Sequence, residues 1–337
     1  MNRSATETGR ERRKGSWGRI WRRVLRGGMW AGVVLGVVAV VATWVWWRAE
    51  PRAEQGSQGV NGLWARHQWV GEAHSAQEYR ALADTLPRGE ISDVFFHVGP
   101  LDPDGSIPPS RYAHARELLG ALERLAPGVR AQAYIGQVTR QGAGPLDLTR
   151  RDVRDRIVAT ARGFLELGFD GIHYDIEPVY PDDDEFLDLL GRTHDLTTRR
   201  GGVLSVSLEQ LELVNGTQAV AAAVLPDVHY PPRPTRTFLE GVASRVDQVA
   251  IMAYDTELPA DWLVGWHFAW QAEHVTKLIG DQVTLLVGVP TYAQGQPFPW
   301  AENLNGAPVL RRALRSRSLL GWMTPRGGGS PPICLSP

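Results

Sequence analysis

The segment Phe169-Asp170-Gly171-Ile172-His173-Tyr174-Asp175-Ile176-Glu177-Pro178 sets an imidazole and two carboxylates at alternate positions. In an extended strand successive side chains face opposite ways, so His173, Asp175 and Glu177 share one face while Ile172, Tyr174 and Ile176 share the other. Strand rise puts the Cα atoms of Asp175 and Glu177 about 6.5–7 Å apart, with both side chains approaching from one side. Such a pair cannot flank a scissile bond from opposite faces, as the two carboxylates of an ordinary glycosidase do. It can supply one general acid: Glu177, at the strand end, keeps its proton through partial burial and a neighbouring carboxylate. The nucleophile must then come from elsewhere, either a carboxylate on another strand, with Glu209 and Asp255 as candidates, or a group on the substrate itself.

The elements that hold this strand recur along the chain. Apolar, β-branched or aromatic runs lie near 63–69, 91–98, 129–135, 171–177, 203–208, 247–254 and 282–289, about one βα unit apart, with helical patterns between them. The clearest helical pattern runs from Thr149, paired with Asp152 as a capping box, through Val153, Ile157, Ala161, Phe164 and Leu165 to Gly168. Another starts near Ser110, carries Leu118, Leu119, Leu122 and Leu125, and stops at Pro127-Gly128. This alternation predicts an α/β fold of the (β/α)8 TIM-barrel type, whose active sites gather at the C-terminal ends of the strands. No Gly-x-Gly-x-x-Gly follows the first strand, which argues against a nucleotide-binding open sheet. The eighth strand is expected to be weak or missing, because only Leu319–Met323 is available for it.

The strand segment resembles the Asp-Gly-x-Asp-x-Asp-x-Glu signature of family 18 glycoside hydrolases, the chitinases and endo-N-acetylglucosaminidases. Met252-Ala253-Tyr254-Asp255 is similar to that family's Met-x-Tyr-Asp segment, and Gly288-Val289-Pro290-Thr291-Tyr292 to its seventh strand, so the likeness runs from about 91 to 293. The resemblance implies substrate-assisted retaining hydrolysis, in which the 2-acetamido carbonyl of an N-acetylhexosamine attacks its own anomeric carbon. On that reading Glu177 is the acid and later the base, Asp175 orients the acetamido N–H, and Tyr254 binds the acetamido oxygen. Asp255, His173, Tyr292, Trp300 and Glu209 are the expected substrate-binding residues; no metal and no cofactor is expected. His173 stands where the family has its middle Asp, which shares a proton with the residue at position 175; a neutral imidazole there could donate to Asp175, whereas an imidazolium would favour the Asp175 anion. The family's eighth strand supplies a Trp floor to the sugar site, a place open to Trp322 if Leu319–Met323 is that strand.

Other side chains divide between stacking on sugar and packing in the core. Trp64, Trp69, Trp262, Trp266, Trp270 and Trp300 are the candidates; helical spacing reads Trp262, Trp266 and Trp270 as a packing stripe, leaving Trp300 on its Pro-rich loop. His97 either faces the site or sits in the core, and Asp182 to Glu185 are expected to cap the helix after the catalytic strand.

The net charge of −1 hides a basic arm: residues 1–28 carry nine Arg or Lys against two Glu, leaving −8 for the remainder. An acidic body argues against a nucleic-acid surface. The arm is followed by nineteen uncharged residues, Met29–Trp47, long enough to span a bilayer, with Trp44, Trp46 and Trp47 as an interfacial belt. The expected order is a basic cytoplasmic N-terminus (1–28), a transmembrane signal anchor (29–47), a linker (48–61), a barrel (62–325) and a disordered tail (326–337). This places the barrel outside the cell membrane on a single-pass anchor; a cleavable signal peptide is the rival, disfavoured by the bulky Trp residues at its end. The tail after Leu310 turns rich in Arg, Ser, Gly and Pro and is expected to be a truncated or frame-shifted ending. The single cysteine, Cys334, rules out an intramolecular disulfide and a thiolate zinc cage.

The leading expectation is therefore a membrane-anchored glycosidase acting on a β-linked N-acetylhexosamine polysaccharide, peptidoglycan-like or chitin-like. A lectin-like inactive barrel is the binding alternative, against which the presence of Glu177 argues. A metal-dependent hydrolase using His173, Asp175 and Glu177 as ligands ranks last, since no His-x-His pair completes a site.

Overall fold

The computed structural model describes residues 61–181, 183–212, 233–254, 261–288 and 318–323, together with Gly36. The chain divides into Met1–Glu50 and Pro51–Pro337, and the second unit carries the barrel. Its strands are β1 (Asn61–Ala65), β2 (Ile91–Pro100), β3 (Arg130–Val138), β4 (Gly171–Glu177), β5 (Val203–Glu209), β6 (Gln248–Met252), β7 (Thr284–Gly288) and β8 (Ser318–Met323). All neighbours pair parallel and in sequence order, and the ring is closed. Around it run α1 (Ala76–Thr85), α2 (Ala115–Leu125), α3 (Arg151–Leu167), α4 (Asp184–Arg199), α5 (Arg236–Ala243) and α6 (Asp261–Ile279).

The eighth strand is thus present, contrary to the expectation that it is weak or missing. Six residues suffice, because a strand between two others needs only backbone pairing to remove both edges: Gly62 to Ala65 pair with Leu320 to Met323, and Leu286 to Gly288 with Ser318 to Leu320. Trp322 lies on it in register with Trp64. Two other expectations also need correction. The first apolar run ends as a strand at Ala65, and Trp69 belongs to a turn of helix over Gln68–Gly71. Thr149 caps nothing; its N–H and hydroxyl both donate to Asp147, a local turn that pre-empts the capping box, and α3 begins at Arg151 without a side-chain cap.

Alternation along the strands builds two separate cores. Leu63, Val94, Phe96, Ala133, Ile135, Ile172, Tyr174, Ile176, Leu204, Val206 and Val249 point outward to the helices. Trp64, Phe95, Tyr134, Ala250, Met252 and Leu286 form the smaller core inside the ring. On α6 the buried stripe is Val264, His267, Phe268, Gln271, Ala272 and Val275, while Trp266 and Trp270 are half-buried at its margin and the side chain of Trp262 lies outside the described residues. Asp183, rather than Asp182, which is outside the described residues, caps α4 by accepting from the N–H of Phe186 at 2.9 Å.

A polar plug closes the N-terminal end of the barrel. Asp93 is fully buried and accepts two bonds from Arg130 at 2.8 Å, a third at 2.8 Å from Gln132 and a fourth at 2.9 Å from Ser92. Gln132 also reaches across to Gln248 at 2.8 Å. Removing the cation would leave this carboxylate buried with only neutral donors, so Arg130→Ala is expected to destabilise the barrel by about 3 kcal/mol. Denaturant unfolding checks this, with Arg130→Lys intermediate because it keeps the charge without the fork.

Met29–Trp47, apart from Gly36, lies outside the described residues, as do residues 48–60 and 324–337. Among the described residues no helix is long and apolar enough to cross a membrane.

Candidate active site

The inward positions of β4 rise from Gly171 through His173 and Asp175 to Glu177 at the C-terminal rim. The order follows from the alternation of the strand, since its outward set Ile172, Tyr174 and Ile176 is wholly buried under the helices. Each polar residue meets a different environment.

His173, in the middle of the barrel, is fully buried, with Phe95 packed at 4.2 Å between ring centroids and Tyr134 edge-on at 5.4 Å. The Trp64 indole N–H donates to its Nε2 at 3.0 Å. An indole N–H can only donate, so Nε2 is unprotonated and the proton sits on Nδ1, which donates to Ser205 Oγ at 2.8 Å. Ser207 Oγ lies 2.9 Å from Nε2 and must donate to it. Burial pushes the imidazole down to about 3, so it is neutral at physiological pH. The residue expected to touch substrate is therefore placed beneath the site, and neither of its nitrogens donates to Asp175.

Asp175 lies one step above. The Tyr134 hydroxyl from β3 donates to its Oδ2, and Gly136 opposite Asp175 in the β3–β4 register keeps the passage clear. A Cβ on Gly136 would stand 3.3 Å from the Asp175 carbonyl oxygen and 3.4 Å from the Tyr134 ring. Burial raises the Asp175 carboxyl above its ordinary range, opposed first by Tyr134 and then by Ser207. Glu177 at the rim is driven up to about 9, first by burial, then by the Asp175 charge and then by Glu209. Asp175 Oδ1 and Glu177 Oε1 are buried and have no hydrogen-bond partner among the described residues.

Both carboxyls are raised, and the Asp175 charge is itself a cause of the raised Glu177, so the rim carboxyl is the one that the neighbouring anion holds as an acid. Glu209 stands at the end of β5, the strand next to β4, close enough for its charge to act on Glu177. Tyr254, directly beyond β6, is half-buried and edge-on to Trp64 at 6.1 Å. Gly288 at the end of β7 makes that placement possible, since a Cβ there would stand 3.0 Å from the Tyr254 ring and 3.1 Å from Trp64. The structure thus brings Glu177, Asp175, Glu209 and Tyr254 to one end of the barrel. Asp255, Tyr292 and Trp300 lie outside the described residues.

His97 ends up at the rim of β2, edge-on to Tyr134 at 4.9 Å, with burial and the nearby His67 lowering it to about 4. Trp64 and Trp69 are core residues. Sequence reasoning overlooked Tyr134, Ser205 and Ser207. The signal was there in Val203-Leu204-Ser205-Val206-Ser207-Leu208-Glu209, where small hydroxyls replace the apolar residues expected on the inward face of a barrel strand. Among the described residues no group of three or more His, Cys, Asp or Glu side chains gathers where it could hold a metal ion.

No protein-family model and no curated protein sequence matches the chain. Among solved structures it is similar to the C-terminal domain of a candidate chitinase from Desulfitobacterium hafniense, with TM-score 0.52 and 15% identity over 68% of this chain and 66% of that one. It is also similar to the spore cortex-lytic enzyme SleL from Bacillus cereus, with TM-score 0.51 and 13% identity over 72% of this chain and 53% of that one. The matched region spans about two thirds and about half the length of those proteins. At such identities the likeness is one of fold.

Proposed function

We propose that this chain is a family 18-type glycoside hydrolase that cleaves β-linked N-acetylhexosamine glycans, peptidoglycan-like or chitin-like, with retention and with the substrate's acetamido group as nucleophile. The observation that carries the reading is the stacked Asp175–Glu177 pair, in which the rim carboxyl keeps its proton at neutral pH. Glu209 cannot serve as the opposing nucleophile, because adjacent strands lie only about 4.8 Å apart. Across the barrel the described inward positions of β1 and β7 are Trp64, Leu286 and Gly288, none of them a carboxylate. A nucleophile carried by the sugar is what this arrangement lacks.

In the first step Glu177 gives its proton to the glycosidic oxygen as the C1–O bond breaks and the acetamido oxygen bonds to C1. The Asp175 carboxylate holds the acetamido N–H through Oδ1, which has no hydrogen-bond partner among the described residues, and offsets the positive charge of the ring so formed. The Tyr254 hydroxyl binds the acetamido oxygen. In the second step the Glu177 carboxylate takes a proton from water, whose oxygen attacks C1 and reopens the ring. Asp255, Tyr292 and Trp300 contact the sugar, and Met29–Trp47 holds the barrel at the outer face of the cell membrane. Likeness of fold to a candidate chitinase and a cortex-lytic enzyme supports the substrate class.

The test is turnover of fluorogenic chitooligosaccharides and release of soluble fragments from peptidoglycan by the full-length chain. Hydrolysis of either supports the reading; a folded chain that binds these glycans without cleaving them is a lectin-like barrel instead. Tyr134→Phe removes one bond to the Asp175 anion, worth about 1.5–3 kcal/mol to a charged group, so kcat should fall roughly 10- to 100-fold while KM changes little.

A further inference from the structure

We infer that His173 is a positioning residue for Tyr254: it anchors the indole of Trp64 from across the barrel, and the anchored indole fixes the Tyr254 ring that stands against it. The contacts are independent of the hydrolase reading; only their effect on turnover rests on it.

The anchor is itself fixed. His173 on β4 is wholly buried; its Nδ1–H donates to Ser205 Oγ at 2.8 Å, its Nε2 accepts from Ser207 Oγ at 2.9 Å, and Phe95 packs against it at 4.2 Å between ring centroids. Nε2 also accepts the indole N–H of Trp64 at 3.0 Å. Trp64 belongs to β1, which does not neighbour β4, so this bond crosses the interior of the ring. An indole has a single N–H and no acceptor, so the bond sets the direction in which its nitrogen points. An imidazole buried in this way stays neutral, and it anchors Trp64 without adding charge beneath Asp175.

The other end of the indole meets Tyr254. The two rings stand edge to face, 6.1 Å apart at 85°. Both reach the same point over Gly288, where a Cβ would lie 3.0 Å from Tyr254 Cε1 and 3.1 Å from Trp64 Cη2. Cη2 belongs to the six-membered half of the indole and the N–H to the five-membered half. Torsion about the Cβ–Cγ bond of an aromatic side chain is soft, and turning about it would swing Cη2 toward or away from Tyr254. The bond to His173 removes that freedom, so an acceptor at the middle of the barrel sets a phenol ring at its rim.

The experiment uses the full-length chain with ¹⁵N-labelled Trp and His and ¹³C-labelled Tyr. In the wild type, scalar ¹⁵N–¹⁵N coupling across the N–H···N bond should link Trp64 Nε1 to His173 Nε2. His173→Leu removes the acceptor; it should shift the Tyr254 ring signals and lower kcat about 10- to 100-fold, the span of a misplaced contact, with KM little changed. His173→Gln, whose amide oxygen can accept the indole N–H, should restore most of both. In a Trp64→Phe background His173→Leu should add little to either, because the N–H it served is already gone. Absence of the coupling in the wild type, which is read whether or not any variant folds, overturns the proposal. So do Tyr254 signals unchanged in folded His173→Leu, and so does an additive double variant. A chain that turns over no glycan yet gives the expected coupling and Tyr254 shifts keeps the His173 role and sinks the hydrolase reading instead.

Discussion

Glu177→Gln is expected to lower kcat by about 10²- to 10⁴-fold, the span usual for loss of a general acid, while making the protein more stable at alkaline pH. The two effects have one cause. Glu177 ionises in the unfolded chain near 4.5 but in the barrel holds its proton up to about 9, chiefly because burial penalises the anion. Between those values the folded state binds the extra proton, so stability falls as pH rises from 4.5 to 9. The amide carries no such charge. At pH 4 the variant and wild type should unfold alike; at pH 8, about 3.5 units above the unfolded value, the variant should be more stable by up to about 5 kcal/mol. Thermal or denaturant unfolding at the two pH values, beside kcat on a chitooligosaccharide, checks both halves. An inactive variant with no alkaline gain in stability would mean that Glu177 is not the proton-holding acid.

Asp175→Asn should rank next, with kcat reduced about 10²- to 10³-fold and KM little altered, since the carboxylate acts on charge that develops only in the transition state. This substitution also has a signature in pH. The Asp175 charge is the second cause, after burial, of the raised Glu177 carboxyl. Without that neighbouring anion Glu177 ionises more readily, so the alkaline limb of the residual activity should move below about 9 yet stay above the ordinary range of a glutamate. A limb that does not move would place the two carboxyls too far apart to act as a pair. A limb that moves up would reverse the sign of their interaction.

How much of this was legible in the sequence depended on whether a residue's role was set by its own strand or by its neighbours across the barrel. The facing of His173, Asp175 and Glu177 followed from period-two alternation and needed nothing else. The strand positions followed for the same reason, save where a hydrophobic run outlasted its strand, as at Trp69. The capping pair at Thr149 failed because Asp147, two residues earlier, offers the same donors a closer acceptor. His173 read as a substrate contact because the sequence gives its direction without its depth. Its burial is set by Phe95, Trp64 and Tyr134, which lie 78, 109 and 39 residues away along the chain. Ser205, Ser207 and Tyr134 carry no motif of their own. They become meaningful only when the ring of strands sets them against His173 and Asp175.

The most direct test of the account is the anomeric form of the sugar released in the first minutes of chitooligosaccharide hydrolysis by the full-length chain, followed by ¹H NMR before mutarotation. Attack by the acetamido oxygen and then by water inverts C1 twice, so the new reducing ends should appear as the β anomer and decay toward the equilibrium mixture. Appearance of the α anomer first would mean a single displacement by water, which the one-sided Asp175–Glu177 pair cannot arrange, and would contradict the account.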